Sequence, residues 1–232
     1  MRNDGTFDNY AENYDAALSR GLTVSGEDKS YFCFRRIEWL ANCLSEIRSK
    51  PTTVMDFGCG TGAAAAYLLD ILGAESVVGV DNSLQSIELA NRTFASKQIT
   101  FRGLSEYTPR EQFDLVYCNG VFHHIPINQR PSAVKHVYRS LRAEGVFAFW
   151  ENNPWNPGTR YVMSRIPFDR DAVTLNVLEA RRLLQALGFE ILRVDFLFVF
   201  PRALKWFRFT ERFVSMLPLG AQYQILCRKP KL

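Results

Sequence analysis

The 232-residue chain has no long apolar run, no closely paired cysteines and only three histidines. Without a stretch of about 18 apolar residues, no membrane span is expected. The five cysteines (Cys33, Cys43, Cys59, Cys118 and Cys227) are odd in number and scattered, with no C-x-x-C pair. That spacing argues against a disulfide scaffold or a zinc site, so reduced thiols and no metal are expected. The opening M-R-N-D-G-T-F-D lacks the apolar core of a signal peptide, and a cytoplasmic setting is expected. Repeats and low-complexity segments are missing too. So is a basic surplus over most of the length. From Glu190 onward eight Lys and Arg stand against three Asp and Glu, so with a net charge of +4 the preceding residues sum to −1. Modest positive charge interleaved with bulky apolar groups speaks against nucleic acid as a partner. What remains is enough chain for one α/β domain with a small cap.

The most informative stretch is Val54 to Ala63, V-M-D-F-G-C-G-T-G-A. Apolar residues lead to Asp56, glycines stand at 58, 60 and 62, and an alanine-rich helix former follows. This predicts a strand, a tight turn and a helix N-terminus. Glycine permits positive φ there and lets a ligand lie on the backbone. The N–H groups of the first helical turn face that ligand. The string also fits the dinucleotide fingerprint G-x-G-x-x-G/A, with Asp81 about 20 residues on as a ribose-binding acid. Asp56 separates the two readings. Its carboxylate would repel a pyrophosphate and welcome a ligand carrying an ammonium and a sulfonium. The D-x-G-x-G-x-G string resembles motif I of class I methyltransferases dependent on S-adenosylmethionine (SAM). The resemblance covers about Phe7 to Cys227, most specifically 54–63, 80–83 and 113–126. It implies a doubly wound, seven-stranded, mostly parallel α/β sheet with strand seven antiparallel, and SAM as methyl donor, leaving S-adenosylhomocysteine.

Hydrophobic patterning agrees with alternating strands and helices. Strands are expected at Thr53–Asp56, Ser76–Val80, Ile99–Arg102, Phe113–Cys118, Val146–Trp150, about Ile191–Val199 and Gln222–Cys227. Helices are expected at 7–18, Lys29–Ile47, Ala63–Leu72, Leu84–Ala95 and Pro131–Leu141. Another starts at the N-x-x-E capping box of Asn176–Glu179 and ends before Gly188. The domain reading is an N-terminal helical lid or cap over 1–50 and a SAM-binding domain over 51–232. Within the latter lie a substrate-pocket insert at about 151–175 and a basic amphipathic segment at about 201–218.

On this resemblance the cofactor contacts are Asp56, Gly58, Cys59, Gly60, Thr61 and Gly62 in the turn. Asp81 serves the ribose hydroxyls, and Asn82 and Ser83 frame the adenine. Asn119 and Gly120 follow strand four. After strand three the family often has an acid near the adenine amine; here the sequence reads Gly103-Leu104-Ser105-Glu106, a departure that leaves the Leu104 backbone or the side chain of Ser105 or Glu106 as the expected contact. His123 and His124 follow strand four, where methyl and acceptor meet. An imidazole suits removal of a hydroxyl proton, and because adjacent residues point in different directions one at most is expected to serve. Glu151 is the alternative base. Asn152 and Asn153 are expected to line an acceptor pocket, Arg160 and Arg165 to bind an anionic group on the acceptor, and Tyr10 and Tyr14 to close a water-excluding lid.

In 201–218, Lys205, Arg208 and Arg212 fall on one helical face and Leu204, Phe207, Phe213, Val214 and Leu217 gather on another. Such a segment can lie on an anionic membrane at its inner face, meet a lipid-linked substrate, or pack as a cap. The activity expected is methyl transfer to a small-molecule acceptor, at a hydroxyl, in specialised or envelope-glycan metabolism. N- or C-methylation of a small or lipid-linked acceptor, a non-catalytic SAM-binding subunit, and an NAD(P) oxidoreductase stay open as alternatives.

Overall fold

The computed structural model describes residues 25–166, 169 and 172–231. The expected helix over 7–18, with Tyr10 and Tyr14, lies outside the described residues.

Helix α1 (Lys29–Glu46) is capped by Asp28, whose carboxylate accepts the Tyr31 N–H at 2.7 Å. There follow β1 (Thr53–Phe57), α2 (Ala65–Leu72), β2 (Ser76–Asp81), α3 (Leu84–Phe94), β3 (Ile99–Gly103), β4 (Phe113–Asn119), α4 (Arg130–Ser140) and β5 (Leu141–Asn152). The chain continues through α5 (Pro157–Arg165), α6 (Val177–Ala186), β6 (Glu190–Leu197), the single turn α7 (Glu211–Val214) and β7 (Gln222–Arg228). Ser83 caps α3, and Asn176 with Glu179 forms the reciprocal box at the start of α6.

The strands form one sheet in the order β3-β2-β1-β4-β5-β7-β6. β7 runs antiparallel to both of its neighbours, and the remaining pairs are parallel. Alternate strand residues feed two cores. Val54, Leu115, Tyr117, Ala148 and Trp150 pack under α1, α2 and α3, while Met55, Val116, Phe147, Phe149 and Ile225 pack under α4 and α6. Both faces are covered, as a parallel sheet requires. The expected doubly wound fold is therefore present. Chain order reverses between β1 and β4, and the crevice at their carboxyl ends is where such folds take ligands.

Some boundaries move. Residues 61–64 form turns, so α2 starts at Ala65 instead of Ala63. β5 begins at Leu141, which pairs with Phe113 before the ladder resumes at Val146 opposite Leu115. The largest departure is the tail. Residues Arg202–Thr210 wind as a 3-10 helix with a kink at Leu204, continuing only into the one-turn α7.

Candidate active site

The turn after β1 is built for a backbone-bound ligand. Gly58 and Cys59 donate their N–H groups to Val80 O at 2.8 and 3.1 Å, tying the turn to the end of β2. Gly58, Gly60 and Gly62 all take positive φ. A Cβ at Gly58 would stand 2.3 Å from Val121 Cγ2, and one at Gly62 would stand 2.7 Å from the Phe101 ring. At Gly60 nothing lies within 4 Å. Two glycines are thus demanded by packing, and the middle one leaves an open cradle. Asp81 closes it: one carboxylate oxygen accepts Gly60 N–H at 2.8 Å, the other Ser83 N–H at 2.9 Å. Behind the turn, Asp56 is buried and its Oδ2 has no hydrogen-bond partner. Burial pushes its carboxyl up to about 7, the Asp81 charge adds to this, and the Arg36 guanidinium opposes it. A buried carboxylate oxygen lacking a partner is costly. A cationic ligand nearby relieves that cost.

Beyond β4 and β5 lies a cavity of about 350 Å³. α1 supplies Lys29 and Arg36, the β4 loop Asn119, Gly120, His123 and His124, and α5 Val162 and Met163. Asp169, Asn152, Gln222 and Arg208 complete much of the wall. Here four chemically active groups converge. His123 Nδ1 lies 2.6 Å from Glu151 Oε2, while Glu151 Oε1 accepts the Phe122 N–H at 2.7 Å. On the cavity side Asp169 Oδ1 sits 3.4 Å from His123 Nε2 and 3.2 Å from His124 Nε2, with neither contact aligned as a hydrogen bond. The segment carrying Asp169 is fastened nearby, where Val173 N–H donates to His123 O at 3.1 Å.

Electrostatics divide the two imidazoles. Burial pulls the His123 imidazolium down, but Glu151 and Asp169 on either side outweigh it and carry its pKa up to about 10. For His124, burial lowers the pKa and the His123 charge adds to this, against the pull of Asp169. Burial would raise Glu151 and Asp169, yet the adjoining imidazoles hold both carboxyls below their ordinary range.

Several expected residues do not meet here. The two histidines were expected to diverge. Instead they lie in a 3-10 turn (Phe122–His124) with ring centroids 4.0 Å apart, both facing Asp169. Asn152 reaches the cavity wall. Asn153 does not: its amide donates to Pro218 O and Gly220 O and its carbonyl accepts the Trp155 N–H, so it ties the strand end to the β7 turn. Arg160 and Arg165 are exposed on α5, outside the lining of the cavity, and Arg165 stacks on Tyr161. Ser83 is buried as a helix cap, Asn82 and Ser105 are exposed, and Leu104 packs partly against the core. Thr61 accepts from Lys29 Nζ at 3.4 Å, which links the glycine turn to α1.

In the tail, Arg208 leaves the expected basic face. It turns inward to Glu27 at 2.8 Å, donates to Phe200 O at 3.1 Å and stacks on Tyr31. Buried Glu211 accepts the N–H groups of Val199 and Phe200 at 3.0 and 3.1 Å. These polar anchors hold the segment while its apolar side chains point away. Trp206 is 78% exposed, Phe209 72%, Phe213 69% and Met216 82%. No helix among the described residues is long and apolar enough to cross a membrane.

The fold, the glycine turn and the switch-point crevice define a class I methyltransferase domain. Residues 54–145 match the family described as "Methyltransferase domain". It is 27% identical over 115 residues to a trans-aconitate 2-methyltransferase of Azoarcus sp. (strain BH72), covering 50% of this chain and 45% of that protein. It is 31% identical over 135 residues to the malonyl-[acyl-carrier protein] O-methyltransferase of Acetivibrio thermocellus, covering 55% and 47%. The chain thus spans about half the length of these two curated relatives. A solved SAM-dependent methyltransferase from Thermotoga maritima superposes with a TM-score of 0.65 at 20% identity, over 96% of this chain and 98% of that one.

Proposed function

We propose that the chain moves a methyl group from SAM to an oxygen, a hydroxyl in the first instance, of a small-molecule acceptor held in the cavity beyond β4 and β5. One observation carries this reading: the open glycine cradle with a buried, partnerless carboxylate behind it lies next to a cavity whose wall holds two imidazoles and a carboxylate. The cradle fits SAM. Gly60 offers bare backbone, Asp81 the ribose-binding acid, and Asp56 a negative charge suited to an ammonium or sulfonium. When bound, SAM supplies an electrophilic methyl group on a good leaving group. The chain's own residues then supply alignment and exclusion of water, the larger part of what such a displacement needs. Asn119 and Gly120 stand at the end of β4 between cradle and cavity. His124 and Asp169 face the acceptor, and His123 with Glu151 holds that wall in place as positioning residues. Likeness to a malonyl-[acyl-carrier protein] O-methyltransferase supports oxygen as the acceptor atom. Tyr10 and Tyr14 keep their place in the proposal as a lid.

The test is calorimetric SAM binding together with turnover on a panel of hydroxyl, carboxyl and amine acceptors. Saturable SAM binding with methylation of an oxygen acceptor is expected. Tight binding without turnover on any acceptor would favour an accessory role, and methylation confined to amines would replace oxygen by nitrogen.

A second reading of the acceptor rests on the exposed aromatic tail. Trp206, Phe209, Phe213 and Met216 project beside Lys205 and Arg212, and the same segment supplies Arg208 to the cavity wall. Aromatic residues with cations between them suit an anionic lipid surface, and this placement would admit a lipid-linked acceptor. Co-sedimentation with phosphatidylglycerol vesicles, lost on Trp206→Ser with Phe209→Ser, is the expected result; no sedimentation removes this reading.

A further inference from the structure

Beyond facing the acceptor, the three cavity-facing groups form a geometry of their own. His123, His124 and Asp169 each offer one ligand atom, and these atoms lie within 4.8 Å of one another. Asp169 Oδ1 is 3.4 Å from His123 Nε2 and 3.2 Å from His124 Nε2. Bonds of about 2.0–2.2 Å to a shared ion set neighbouring ligand atoms roughly 3.0–3.5 Å apart. Two of the three separations already have that value.

A second observation is independent of spacing. Asp169 is only 8% exposed, and its Oδ1, the atom facing both imidazoles, has no hydrogen-bond partner. Buried acceptors are nearly always satisfied. A cation between Oδ1 and the two nitrogens completes this one. The third observation lies behind the ring. Glu151 Oε2 sits 2.6 Å from His123 Nδ1, which orients Nε2 toward Asp169. That is the outer-shell carboxylate that metal-bound histidines require. Among the described residues neither Glu151 nor Asp169 pairs with a lysine or arginine.

We propose that His123 Nε2, His124 Nε2 and Asp169 Oδ1 bind a single divalent first-row transition-metal ion, its remaining positions open to the cavity. Two imidazoles and one carboxylate favour zinc, cobalt, iron or manganese over the all-oxygen shells of magnesium and calcium. The expectation of no metal was drawn from cysteine spacing, which says nothing about an imidazole–carboxylate site. Binding of the ion stands or falls separately from methyl transfer. Where both hold, the ion is a Lewis acid against the acceptor oxygen.

The test uses the full chain, stripped with a chelator and titrated with cobalt(II) while visible absorption is recorded. Saturation at one equivalent, with ligand-field bands, no thiolate-to-cobalt charge transfer and displacement by zinc(II), is expected. Glu151→Gln should weaken binding about 10- to 100-fold, and Asp169→Asn and His124→Gln by more. For the unaltered chain, zinc(II) should shift the imidazole nitrogen resonances of His123 and His124 and leave those of His136 in place. That readout stands even if a variant fails to fold. The proposal is overturned by absence of saturable binding, by thiolate charge transfer, by unchanged affinity in folded Asp169→Asn and His124→Gln, or by resonances of His123 and His124 that do not move. In the last case a proton held between the two carboxylates accounts for the cluster. None of these readings needs SAM, so failure of the methyl-transfer reading leaves the result interpretable.

Discussion

The two sides of the crevice are built on different principles. The glycine turn gathers its ligand-facing groups from one short stretch, 56–62, plus Asp81, and most of their contacts are to backbone. The cavity side gathers His123, His124, Glu151 and Asp169 from three separated segments, held by side-chain contacts. A site made of backbone tolerates few changes but announces itself as a string. A site made of converging side chains can be re-specified residue by residue, and leaves little trace in sequence.

The largest expected effect tests the backbone side. Gly58→Ala forces a Cβ to 2.3 Å from Val121 at positive φ, and overpacking plus backbone strain should cost about 2–5 kcal/mol of stability. Gly60→Ala meets no atom, so strain alone, about 1–2 kcal/mol, should appear in its denaturation curve, with the larger loss in SAM binding. Equal destabilisation by the two would erase the distinction between packing glycine and cradle glycine.

Next comes the wall. His124→Gln should lower turnover on a hydroxyl acceptor by about 10²-fold, with SAM affinity unchanged. A parallel loss of SAM affinity would mean that the two sides are not separable. On the cofactor side, Asp81→Ala should weaken SAM binding by about 1–3 kcal/mol in a calorimetric titration; unchanged affinity would remove its ribose role.

A further expectation concerns pH. The Asp56 carboxyl lies at about 7 in the folded chain, against an ordinary value of roughly 4. The folded state therefore holds a proton that the unfolded state has released, and stability without ligand should fall as pH rises from about 4 through 7. A cationic ligand favours the ionised form, so SAM affinity should rise with pH up to about 7 and level off above it. Asp56→Asn should flatten both dependences; a SAM titration at pH 6 and pH 8 reads the second directly.

The sheet was legible because strand and helix periods, Ser83, the Asn176–Glu179 box and the glycine turn are local signals. Asp169 was not legible as part of the site. It follows a helix without periodic company, and contacts such as the fastening of Val173 to His123 hold its segment near the histidines. The convergence of those histidines was hidden by their 3-10 turn, which aims successive side chains differently from the extended chain assumed. For Arg160 and Arg165 a signal did exist. Thr159, Val162 and Met163 share the inward face of α5, which leaves the arginines outside. The tail misled for another reason: α-helical spacing grouped Arg208 with Lys205 and Arg212, while Glu27, far away in sequence, draws Arg208 inward.

The isopropyl group of Val121 already fills the space beside Gly58, and the same loop goes on at once to His123 and His124. One side chain therefore couples the glycine turn to the loop that carries both histidines. A larger side chain at residue 121 should therefore press on the glycine turn, read as lower stability and weaker SAM binding.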